Sequence, residues 1–105
     1  MGRARKDSRP SSVHLMGRDY SITYDLDNGN FGACDVMEGE IEVREGLSLM
    51  EEQDTVLHEI MHGVWAVMDI GNAKWEEHVI RKMATGLALV LKQNPNLAQY
   101  LTKQE

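Results

Sequence analysis

The chain has 105 residues, a formal net charge of −6, and 42% hydrophobic against 27% charged residues. That is the size of one domain with a single modest core and no space for a separate substrate domain. The mix excludes an intrinsically disordered chain, no apolar run approaches the roughly 20 residues of a membrane-spanning helix, and a lone cysteine, Cys34, excludes a disulfide framework or a cysteine-rich zinc site.

The charge is unevenly spread. Residues 1–18 hold five basic residues and one acidic residue, Asp7, whereas the remainder holds six basic and sixteen acidic ones. Residues 1–17 mix Arg, Ser, Pro and Gly without periodicity, and are expected to form a flexible basic arm, ordered at most near residues 13–15. The arm could touch nucleic acid weakly, but so acidic a body argues against nucleic acid as the main partner. No apolar stretch follows the basic residues, so no secretory signal is read, and a reducing cytoplasm fits the single thiol.

Residues 18–105 are expected to form the single folded domain. RDYSITYDL alternates, with Tyr20, Ile22, Tyr24 and Leu26 on one side, which is the pattern of a half-buried strand. DNGN is a turn. FGACDVM is expected to be a second strand and EGEIEVREG a third, with Ile41 and Val43 facing inward. Ser48 and Glu51 have the spacing of a capping box, so a helix is predicted from about residue 49 to 69, stopped by Gly71. Asn72 caps a second helix over AKWEEHVIRKMATGLALVLKQ. Asn94-Pro95 ends it and opens a short third helix, with Leu97, Tyr100 and Leu101 on its inner face. Strands first and helices after give an α+β class, with a small three-stranded, antiparallel-type sheet covered by helices on one face.

The first helix carries TVLHEIMHGV. His58 and His62 are four residues apart, so they share a face one turn apart and can both reach one zinc ion. Glu59 projects about 100° away, out of the first coordination sphere but within reach of a water, as a general base requires. A random chain of this length contains His-Glu-x-x-His with a probability on the order of a few in a thousand. The uncharged neighbours Thr55, Val56, Ile60, Met61, Gly63 and Val64 fit a helix buried beneath a cleft, rather than a surface helix with incidental histidines.

A catalytic zinc site needs a third protein ligand and an open position. Asp69 stands at its own helix end and cannot fold back, which leaves Glu76, Glu77 and His78. The apolar residues Val79, Ile80, Met83, Ala84, Leu87, Val90 and Leu91 average about 70° from Val79 at 100° per residue. On that wheel Glu76 falls near 60°, Glu77 near 160° and His78 near 260°. Glu76 is therefore the favoured ligand, Glu77 the second choice and His78 a surface residue. Compensation of the helix dipole accounts for Glu77 well and for Glu76 only in part. Tyr20, Tyr24 and Tyr100 are the candidate oxyanion donors, although packing is the default role of each. Cys34 reads as a half-buried structural thiol.

HEIMH followed by EEHV, ATGL and Asn94-Pro95 resembles the small zinc metallopeptidases encoded by bacteriophages and prophages, over roughly residues 20–100. The resemblance implies a minimal gluzincin. His58, His62 and a glutamate of the Glu76-Glu77 pair would hold zinc, Glu59 would be the catalytic acid/base, and a peptide or protein would be the substrate in the bacterial host cell or, if packaged, in the virion. The strand EIEVR would line the cleft as an edge for the peptide, and its outward Glu40 and Glu42 would favour a basic one. The rival readings are a non-catalytic, zinc-stabilised phage structural or assembly protein, and a regulatory factor that binds a partner through its sheet edge.

Overall fold

The computed structural model describes residues 8–104. Among these residues the chain is α+β, with four strands followed by three helices: β1 (Ser12–Leu15), β2 (Arg18–Leu26), β3 (Gly32–Asp35), β4 (Glu40–Arg44), α1 (Leu49–Met68), α2 (Ala73–Gln93) and α3 (Pro95–Leu101). No described helix is long and apolar enough to cross a membrane.

The sheet has four strands rather than three, in the order β1-β2-β4-β3. The extra strand comes from the expected arm, of which residues 1–7 lie outside the described residues. β1 pairs antiparallel with β2 through a two-residue turn at Met16 and Gly17, both at positive φ. That is the backbone of a tight hairpin, written here without the usual Asn-Gly signal. The segment before it is tied down by Arg9, whose guanidinium bonds Glu45 and the buried Glu52 and lies 4.0 Å over the Tyr24 ring. Short polar stretches with no periodicity of their own are thus ordered by tertiary partners, which composition does not reveal.

The sheet is mixed, not antiparallel. β3 leaves the end of β2, skips one place, and β4 returns into the gap, parallel to β2 (Ile22 opposite Ile41) and antiparallel to β3 (Cys34 opposite Ile41). β4 is therefore interior and β3 is the edge on that side, a correction to the expected placing of EIEVR. Glu40 and Glu42 are exposed on the sheet face opposite the buried Ile41 and Val43.

The core lies between the sheet and α1. Leu15, Tyr20, Ile22, Ile41, Val43 and Leu47 pack against Val56, Ile60 and Val64 of α1, so the alternation read in β2 and β4 is the burial that forms. Gly63 permits the close approach: a Cβ there would stand 2.7 Å from Leu15 Cδ1.

α1 begins at the expected capping box, with Ser48 Oγ accepting from the Glu51 N–H at 3.1 Å and Glu51 accepting from the Ser48 N–H at 3.0 Å. It ends at Met68, because Asp69 takes the left-handed conformation expected of Gly71. α2 has the predicted bounds and cap, Asn72 accepting from the Lys74 N–H at 2.8 Å. α3 starts at Pro95 as expected, but Leu97, Tyr100 and Leu101 are all exposed and do not form an inner face.

Candidate metal centre

α1 packs its Thr55, Glu59 and Gly63 side on the sheet and presents His58 and His62 toward α2. The two rings meet edge to face with centroids 4.9 Å apart, and their Nε2 atoms are 3.2 Å apart. Two nitrogens on one tetrahedral zinc, each 2.0–2.1 Å from it, stand about 3.3 Å apart, so the pair has the separation of shared ligands.

Glu77 completes the group. Its Oε1 lies 2.7 Å from His58 Nε2 and its Oε2 lies 3.2 Å from His62 Nε2. His58, His62 and Glu77 are the three residues whose ligand atoms converge within 4.8 Å of one another. Glu76 is elsewhere: its Oε2 is 2.6 Å from His62 Nδ1, on the far side of the ring. With the proton on Nδ1 donated to that carboxylate, the Nε2 lone pair would face the shared position, the arrangement by which an outer carboxylate orients a metal-binding histidine. The structure thus groups Glu77, the second choice, with the two histidines, and sets the favoured Glu76 against the other edge of the His62 ring. The reason is visible in α2. Its buried residues are Ile80 and Ala84, whereas Val79, Met83, Leu87 and Val90 are exposed. The two buried positions put the inner direction at about 120° from Val79, within about 40° of Glu77 and about 60° from Glu76. The exposed apolar stripe had pulled the average away. His78 is exposed, as expected.

Glu59 lies beside this group and is buried. Burial is the main cause that raises its carboxyl above the ordinary range; His58 and His62 oppose the rise and Glu77 adds to it. Cys34 packs against the core from β3, and burial, then the charges of Glu59, Asp35 and Glu76, pushes its thiol up to about 11. It stays protonated and outside the converging group.

A cavity of about 470 Å³ opens over these residues, between Asn30, Phe31 and Gly32 on one wall and Asp54, Thr55, His58, Glu59, His62 and Glu77 on the other. None of the three tyrosines lines it. Tyr20 is in the core, Tyr24 donates to the Pro10 carbonyl, and Tyr100 is exposed on α3. Asp54 escaped the sequence reading although its signal was there, four residues before His58 on the same helix face. Thr85 of α2 donates to its Oδ1 at 2.8 Å, which joins the two helices at the cleft wall. Asn30 and Gly32 had no comparable signal, because only the chain's return across the sheet brings them here.

No family model, curated protein or solved structure matches the chain.

Gly32 has no Cβ for a steric reason. A Cβ there would meet Thr55 Cγ2 at 2.7 Å and Glu59 Oε2 at 2.9 Å. Gly32→Ala is expected to displace the Glu59 carboxylate and to cost about 1–3 kcal/mol of stability, as overpacking does. A thermal melt reads that loss; the grouping of His58, His62 and Glu77 should hold, since none of their atoms lies among these contacts.

Proposed function

We propose that this chain is a zinc-dependent metallopeptidase of the minimal gluzincin type. The observation that carries the reading is the convergence of His58 Nε2, His62 Nε2 and the Glu77 carboxylate beside a buried, separate glutamate on the same cleft. The donor set fits zinc: two neutral imidazoles and one carboxylate, with room for an open position on the cleft side. When bound, zinc supplies a Lewis acid and makes a water acidic enough to be a nucleophile near neutral pH. Glu59 takes the proton of the attacking water and passes it to the leaving amine. Glu76 holds the His62 ring in place. A purely structural site has no need of Glu59 buried beside an open cavity, which favours catalysis over a zinc staple or a partner-binding factor.

The substrate reading rests on the edge strand. The Phe31 carbonyl accepts from the Arg44 N–H at 2.7 Å, with Gly32 opposite Val43. Alternation in an antiparallel pair then turns the N–H and C=O of Gly32 and Cys34 to the open edge, where an extended peptide can add as a strand. A preference for basic peptides belongs to Asp54 and Glu77 on the cleft wall rather than to Glu40 and Glu42. Phage or prophage origin and action in the host cytoplasm form part of the same proposal.

Purified protein is expected to carry about one zinc per chain by elemental analysis, and to cut members of a lysine- and arginine-rich peptide library. Chelation should abolish the cutting and zinc should restore it. Metal-free protein that takes up no zinc, or a zinc-loaded protein that cuts nothing in a broad library, defeats the proposal.

A further inference from the structure

Attack on a peptide carbonyl puts negative charge on its oxygen, and this cleft is acidic. Asp54, Glu59 and Glu77 line it, and among the described residues no lysine, arginine or tyrosine does. Beside the metal, the side-chain donors that the described lining can offer a developing oxyanion are therefore neutral ones. Beyond the two histidines, the side chains lining the cavity that carry such a donor are the Asn30 amide and the Thr55 hydroxyl. Thr55 is buried in the α1 face that packs on the sheet. Asn30 is exposed at the cleft mouth, in the bend before β3. Its backbone N–H is fixed by Asn28 Oδ1 at 3.1 Å, while its side-chain amide makes no hydrogen bond to any described residue. The bend is thus held, and among the described residues the amide has no hydrogen-bond partner.

We propose that Asn30 is the catalytic residue that binds the carbonyl oxygen of the scissile bond, its Nδ2–H donating to the oxygen as charge develops. The assignment rests on the metallopeptidase reading and names the group that the tyrosines do not supply. Removing one such donor lowers turnover by roughly 10²–10³-fold and changes substrate binding little.

The test compares wild type, Asn30→Ala and Asn30→Asp, each loaded with zinc. Three affinities are measured: zinc by chelator competition, acetohydroxamate, and a phosphonamidate peptide with lysine beside the phosphorus, whose tetrahedral oxygen mimics the oxyanion. Both variants should bind zinc and acetohydroxamate within about threefold of wild type and the phosphonamidate at least tenfold more weakly. The Asp variant, which replaces the donor with a charge, should be the weaker of the two. On any peptide that wild type cuts, kcat should fall and KM stay. Phosphonamidate binding equal to wild type in both variants overturns the role of Asn30 and leaves the metal reading standing. Wild type that binds neither zinc nor acetohydroxamate overturns the metal reading itself, and this assignment with it.

Discussion

Glu59→Gln is expected to lower peptide turnover by roughly 10²–10⁴-fold, the usual contribution of a positioned general base, with zinc content unchanged. Glutamine keeps the size of the side chain and its packing against Gly32 and Thr55, but it cannot accept the proton of the attacking water. The same substitution has an opposite effect on stability. Burial holds the Glu59 carboxyl above its ordinary value, so the folded chain binds this proton more tightly than the unfolded chain does. Between those two values the native state holds more protons than the unfolded one, and stability falls as pH rises through that interval. Above it the full cost of a buried charge is present; below the ordinary value it is absent. Zinc-free Glu59→Gln should therefore melt higher than zinc-free wild type at pH 7.5, by several degrees for each kcal/mol recovered, and level with it near pH 4. Melts of both proteins at the two pH values check this. A variant less stable than wild type at pH 7.5 would mean that Glu59 is held by favourable partners and is not a base kept in reserve. Loss of stability and loss of activity normally travel together; a site residue that carries unfavourable burial for the sake of chemistry separates them.

How far the sequence could be read depended on whether the signal was local. The capping box at Ser48 and Glu51, the Asn72 cap and the alternation of Tyr20, Ile22, Ile41 and Val43 all act over a few residues, and each is found where periodicity or capping put it. The spacing of His58 and His62 is local in the same sense, since helix geometry alone brings the two rings together. What failed was long-range. β1 depends on pairing with Tyr20 and Asp19 and on the Arg9 anchor, neither of which leaves a mark on residues 12–15. The insertion of β4 between β2 and β3 has no sequence signature, and it changed which strand is the edge. For a different reason, the phase argument favoured Glu76, whereas the structure groups Glu77 with the histidines. The phase argument assumed that every apolar residue of α2 faces inward. Val79, Met83, Leu87 and Val90 are exposed, so the average pointed between the buried face and a surface stripe. Adjacent residues differ by about 100°, and an error of about 50° in the inner direction is enough to exchange them.

That exchange makes the two glutamates the sharpest quantitative test of the centre. Zinc at 1,000 times its dissociation constant stabilises a protein that binds it only when folded by about 4.1 kcal/mol. At about 4–8 °C per kcal/mol for a domain near this size, saturating zinc should raise the melting temperature by roughly 15–30 °C. His58→Ala and His62→Ala remove one of two nitrogens and should lose nearly all of that increment. Glu77→Ala should behave like them, because its two oxygens are the ones that reach both Nε2 atoms. Glu76→Ala should not. It removes the contact on His62 Nδ1, leaving a ring that can rotate and change tautomer, and outer-carboxylate losses of this kind weaken metal binding by about 10–100-fold. Chelator competition on the four variants should therefore give three with affinity lowered by more than 100-fold and Glu76→Ala inside the smaller range. Were Glu76→Ala to lose zinc entirely while Glu77→Ala kept it, the convergence of Glu77 on the histidines would be only a hydrogen-bonded pairing of the metal-free state, and the ligand would be the neighbour that faces the other side of the ring. The discriminating power comes from one physical fact: an imidazole has two nitrogens on opposite edges, and a carboxylate can complete a metal site from one edge or orient the ring from the other, but the same oxygen cannot do both.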